Sequence, residues 1–123
     1  MLRFVILHHR TPLQATKPDH YDLMLEEGDV LKTFTLWQLP DLKATVEAIP
    51  DFDHRRAYLD YEGPVSNNRG EVMQVESGTF VWKRRTANQI EIELSGKQLL
   101  GLLRLEIQGD STAGASSDSA TSD

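Results

Sequence analysis

The chain has no cysteine, which excludes disulfides and thiolate metal sites. It also lacks any apolar run near the roughly 18 residues of a membrane span. The opening Met1-Leu2-Arg3-Phe4-Val5-Ile6-Leu7 is too short for the apolar core of a signal peptide before His8 interrupts it. These absences predict a protein without membrane contact, located in a reducing cytoplasm. Positive charge is scarce: 13 Lys and Arg stand against 19 Asp and Glu, a net charge of −6. That balance argues against indiscriminate capture of nucleic acid by long-range attraction, while leaving room for a local cationic groove.

What is present fits one globular domain. At 123 residues, with 39% hydrophobic and 26% charged content, the chain can bury one core but not two. Residues 1–108 carry the apolar patterning. Residues 109–123, rich in Ser, Ala and Asp, have nothing to bury and are expected to form a disordered tail.

The body punctuates as β-structure. Leu2 to Leu7 reads as a buried strand and Arg10 to Asp19, with Pro12 and Pro18, as a loop. Tyr21–Leu25 and Val30–Leu36 read as a hairpin turning at Glu26-Glu27-Gly28-Asp29. Lys43–Ile49 suits either a short helix or a strand. Glu71–Val75, Thr79–Lys83, Gln89–Leu94 and Leu99–Ile107 complete the strands, with breaks at Ser77-Gly78, Thr86-Ala87-Asn88 and Ser95-Gly96. Short strands at this spacing predict a mainly all-β fold with little helix, either a small barrel or a sandwich.

One segment carries chemistry. Asp19-His20-Tyr21-Asp22-Leu23-Met24-Leu25-Glu26 alternates, so His20 and Asp22 share one strand face, with Leu23 and Leu25 on the other. An imidazole and a carboxylate so placed can reach one divalent metal, although the same pattern also suits a half-buried strand with its polar face to water. His8 and His9 face opposite ways on a strand, so only one can join them, and spacing does not choose between the two. Two imidazoles and one carboxylate leave about half the positions of an octahedral metal open for water and substrate. The same ligand types suit an iron-dependent oxygenase, but no residue pattern marks a co-substrate site.

The order of blocks Phe4-Val5-Ile6-Leu7-His8-His9, Asp19 to Glu26, Val30-Leu31-Lys32-Thr33-Phe34, His54 to Gly63, Glu76-Ser77-Gly78-Thr79-Phe80 and Leu94 to Gly101 resembles the 3′-phosphoesterase domain of bacterial DNA ligase D. The resemblance implies a compact, closed or partly open antiparallel β-barrel of about eight strands that removes 3′-phosphates or 3′-ribonucleosides from nucleic-acid ends, in DNA repair, with Mn²⁺ or a similar transition metal. It implies metal ligands at His9, His20 and Asp22, a phosphate-facing His54 and a phosphate-contacting Tyr58. Arg55, beside His54, and Arg69, in Ser66-Asn67-Asn68-Arg69-Gly70, are candidate phosphate-binding cations. A monomer is expected, with a DNA ligase or polymerase as a partner in trans.

The chain departs from the family pattern at Met24, at Gln38 and, in addition, in the length of one loop. Met24 stands where the family has an arginine, and an apolar thioether cannot replace a guanidinium fork. Gln38 aligns with a family lysine, and the loop between His9 and His20 is longer than usual. The alternative is therefore a non-catalytic relative that binds a metal, a nucleic-acid end or a repair protein.

Overall fold

A computed structural model describes residues 1–108; the expected tail at 109–123 lies outside the described residues. The strands are β1 (Leu2–Arg10), β2 (His20–Glu27), β3 (Val30–Leu36), β4 (Val46–Pro50), β5 (His54–Arg55), β6 (Gly63–Pro64), β7 (Glu71–Arg85), β8 (Gln89–Gly96) and β9 (Leu100–Ile107). One 3-10 turn, Arg56–Leu59, is the helical element among the described residues, and no helix there is long and apolar enough to cross a membrane.

Seven strands close a ring in the order β1-β2-β3-β4-β9-β8-β7, with β7 returning to β1. The short β5 and β6 attach to β3 and β7. The fold is the small β-barrel that the resemblance implies, one of the two architectures the strand pattern allows, with one difference in its pairing. β4 runs parallel to β9, with Val46 opposite Leu105 and Ala48 opposite Ile107. Parity requires it: strands around a closed ring of odd number cannot all alternate in direction. The ambiguous Lys43–Ile49 segment resolves accordingly, its second half forming β4.

A second difference concerns Ser77-Gly78, which is no break. Glu71–Arg85 is one strand whose first half pairs with β1 and whose second half pairs with β8. Gly78 is the crossing point, where an added Cβ would lie 2.1 Å from the Ser95 carbonyl oxygen. The glycine permits close backbone approach at a barrel corner rather than a turn.

Two apolar clusters follow from the two faces of the wall. Phe4, Ile6, Leu23, Leu25, Phe34, Leu36, Phe80, Ile92, Leu94 and Leu103 point inward and fill the barrel. Val5, Leu7, Met24, Leu31 and Val72 point outward and are covered by Leu59, Tyr58, Tyr61 and Val65. β1 and β2 are therefore buried on both sides, a condition typical of strands sandwiched between layers. The covering segment is clamped by polar contacts. Arg56 pairs with Glu26, Arg3 pairs with Asp60 at 2.8 Å, and the Gln74 amide donates to the Leu59 carbonyl at 2.7 Å.

At the opposite corner, buried Glu76 accepts backbone N–H bonds from Ser77, Lys97, Gln98 and Leu99 at 2.6–2.9 Å, closing the β8–β9 turn. Burial pushes this carboxyl up, but the four donors outweigh it and hold its pKa below the usual glutamate value. A lowered folded pKa means stability present above the unfolded pKa and lost as pH falls through the folded one. Glu76→Gln retains the size but loses the charge and turns an amide N–H₂ against backbone donors. The expected cost is about 1–3 kcal/mol at pH 7 by urea unfolding. The difference from wild type should shrink as the pH is lowered through the acid range.

Candidate metal centre

The sandwiched face of β1 and β2 becomes polar at one end. His9 lies opposite His20, and Leu7 opposite Asp22, in the β1–β2 ladder. Side chains at alternate positions of each strand emerge on the same side, so His9, His20 and Asp22 converge outside the barrel. One ligand atom from each lies within 4.8 Å of the others. His8 faces the other way and stacks on Tyr21, with ring centroids 4.8 Å apart.

Hydrogen bonds fix which nitrogen each ring presents. His20 Nδ1 lies 2.9 Å from the Pro18 carbonyl oxygen, a pure acceptor, so Nδ1 carries the proton. His20 Nε2 is left 3.1 Å from Asp22 Oδ1, without the alignment of a hydrogen bond. His9 Nε2 donates to the Arg69 carbonyl at 2.7 Å, which turns Nδ1 to Asp22 Oδ2 at 3.1 Å. Metal-ligating histidines characteristically give their other N–H to a carbonyl in this manner.

The electrostatics are correspondingly tense. Burial pushes the Asp22 carboxyl up, but the imidazoles of His20 and His9 outweigh it and hold its pKa well below the carboxylate range. The hydrogen bond to the Asp22 carboxylate raises the His9 pKa against the opposing effect of burial, and the Arg69 carbonyl adds to the rise. Asp22 and His20 are each only 3% exposed, and Asp22 Oδ1 has no hydrogen-bond partner. A buried carboxylate oxygen without a hydrogen-bond partner is costly unless a cation reaches it. The donor set of two nitrogens and a carboxylate fits a divalent transition metal.

The surrounding residues form a cleft of about 610 Å³ over this face. His54, on β5, enters it because β5 pairs with β3, setting His54 opposite Leu31. Its Nδ1 lies 2.8 Å from the Phe52 carbonyl and 3.0 Å from Thr33 Oγ1, so Nδ1 carries the proton and Nε2 is the nitrogen open to a ligand. Tyr58 meets His54 edge to face at 5.4 Å. Met24 lies in the cleft wall, 1% exposed, and Arg55 stands on the rim. Gln38 is exposed and is not among the cleft residues.

The turn before β7 completes the enclosure. Asn67 and Asn68 take left-handed backbone angles, and Gly70 does so at φ +94°. A Cβ on Gly70 would fall 1.8 Å from the Arg10 carbonyl oxygen, so only glycine lets this turn close on β1. That closure delivers the Arg69 carbonyl to His9. The Arg69 guanidinium itself folds back on Ser66, with Nε 2.9 Å from the Ser66 carbonyl oxygen.

The structure thus brings His9, His20, Asp22, His54, Tyr58, Arg55 and Arg69 to one cleft, with Arg69 contributing its backbone rather than its cation. Pattern reading missed Thr33, the orienting carbonyls of Pro18, Phe52 and Arg69, and Lys17, whose ammonium reaches the cleft from the β1–β2 loop. Carbonyls leave no signature in side-chain identity, and a lysine in a polar loop looks like any solvated one.

A seven-stranded barrel with a buried His-His-Asp cluster on its outer wall defines a β-barrel protein with a candidate metal centre. The sequence matches the DNA Ligase D 3′-phosphoesterase domain over residues 8–108, and the chain belongs to that family. No curated protein matches it.

If the tension at Asp22 is that of a metal centre, Asp22→Asn should separate two properties. At pH 8 without metal, the amide loses the charge that the imidazoles stabilise, so the unfolding free energy should fall by about 1–3 kcal/mol. Excess Mn²⁺ should raise the melting temperature of wild type and leave Asp22→Asn unmoved.

Proposed function

We propose that this cleft is a divalent-metal centre that removes 3′-phosphate or 3′-ribonucleoside groups from nucleic-acid ends, in DNA end processing. The observation that carries this reading is the orphaned Asp22 oxygen between two histidines whose outer N–H groups are already committed to carbonyls. Family membership supports the choice of chemistry.

His9 through Nδ1, His20 through Nε2 and Asp22 through its carboxylate would hold the ion, with Mn²⁺ or a similar transition metal the best match to these donors. When bound, such an ion supplies Lewis acidity toward a phosphoryl oxygen and lowers the pKa of nearby water. The remaining roles fall to the chain. Hydrolysis of a 3′-phosphate adds water across the P–O3′ bond, giving a 3′-hydroxyl and inorganic phosphate. His54, its Nδ1–H fixed by Phe52 and Thr33, presents Nε2 for the phosphoryl group. In its protonated form it gives the departing O3′ its proton. Tyr58 packs against that ring and offers a hydroxyl to a phosphate oxygen. Arg55, on the rim, meets the phosphodiester that precedes the terminus.

A second reading has its own observation. Met24 occupies the cleft wall where phosphate recognition would favour a cation, and Asp51 and Asp53 also line the cleft. These features suit a relative that captures metal or a nucleic-acid end without turnover.

The two readings part on a primer carrying a 3′-phosphate, incubated with Mn²⁺. The enzyme reading expects release of inorganic phosphate by wild type. His20→Ala and Asp22→Ala should lower the rate more than about 100-fold. His54→Ala should lower it about 10²–10⁴-fold with metal binding intact. Metal binding by wild type with no phosphate release would establish the second reading instead.

A further inference from the structure

We propose that Lys17, carried into the cleft by the β1–β2 loop, is the cation that binds the terminal phosphoryl group. This inference rests on the proposed phosphoesterase reading and supplies a residue which that reading leaves open.

The loop from Thr11 to Asp19 is a built structure. The Thr11 N–H donates to Asp19 Oδ1 at 2.8 Å, and the Thr11 hydroxyl donates to the Lys17 carbonyl at 2.9 Å. A further bond joins the Ala15 N–H to the Pro12 carbonyl at 3.0 Å. Thr11 therefore fixes the backbone from which the Lys17 side chain departs. That side chain crosses to β3, where Nζ donates to Thr35 Oγ1 at 2.7 Å. Thr35 is the partner of Asp22 in the β2–β3 ladder, so the ammonium is held one strand away from the metal-ligand carboxylate.

Of the basic side chains lining the cleft, Lys17 is the one pinned toward its floor. The Arg69 guanidinium is spent on Ser66, and exposed Arg55 stands at the rim. Met24 leaves the neighbouring wall without charge. An ammonium has three N–H donors. Thr35 takes one and the Asp51 carboxylate, 3.5 Å away, can take a second, leaving the third for a ligand. The side chain remains 40% exposed, open to an incoming anion. As a compact point charge, lysine suits a phosphoryl oxygen that must leave as free phosphate, where a bidentate fork would grip the product.

The test is calorimetric binding of inorganic phosphate, which is not turned over, to the Mn²⁺-loaded protein. Lys17→Met should weaken phosphate binding at least about 10-fold, as loss of a hydrogen bond from a charged group requires. It should not weaken Mn²⁺ binding, since removing a neighbouring positive charge cannot repel the ion. Lys17→Arg should recover most of the binding, and Lys43→Met, an exposed lysine outside the cleft, should have no effect. Unaltered phosphate affinity in Lys17→Met overturns this inference alone. Failure of wild type to bind Mn²⁺ overturns the metal-centre reading and this inference together.

Discussion

His9 lies opposite His20 and Leu7 opposite Asp22 across the β1–β2 ladder, and this register is the constraint on which the cleft depends. Side chains alternate faces along a strand, so a slip of one residue would send His9 inward and bring His8 out. The inward set, Phe4, Ile6, Leu23 and Leu25, fixes the register because it fills the barrel. Core packing and the placement of the candidate ligands are thus one specification. The sequence cannot move the ligand cluster without emptying the core.

A register alone would leave the cluster exposed to water. What buries it is the second layer formed by the segment from Phe52 to Gly70, laid over the outer faces of β1, β2, β3 and β7. Leu59 and Val65 seal its apolar part, and Glu26 and Arg56 tie it to the wall. The same segment supplies His54, Tyr58 and the Arg69 carbonyl. Covering the wall and orienting the site are therefore coupled. Local opening of this layer would hydrate Asp22 and release the orientation of His9 in one step.

The strands were largely legible in the pattern because inward residues alternate cleanly in β2, β8 and β9, while closure into a barrel rather than a sandwich was implied by the family resemblance. Two features escaped for physical reasons. Ser77-Gly78 carries a turn-like composition, yet Gly78 serves a close approach to Ser95 that involves residues distant in the chain. The parallel β4–β9 junction follows from ring parity, which no local window contains. At the site, the His20-Tyr21-Asp22 step was visible because both side chains sit on one strand. Their depth of burial was not, since it comes from a layer arriving some thirty residues later, and polar residues alternating with apolar ones read equally well as a wet face. Lys17 and Thr33 become meaningful only once the loop and β3 are folded beside Asp22.

Under the proposed reading, the charge of the cleft bears on the kind of end it accepts. A duplex-binding groove needs many phosphate contacts, and its affinity scales with the number of phosphates neutralised. Here the cationic side chains around the candidate ligand cluster are few, and Asp51 and Asp53 lie among them. Such a site gains little from the length of a nucleic acid and most from one dianionic terminus placed against Lys17 and His54. Under the proposed reading, recognition is therefore concentrated on the terminal phosphoryl group. The acidic carboxylates that surround it would then disfavour the internal phosphodiesters that a more basic groove would hold.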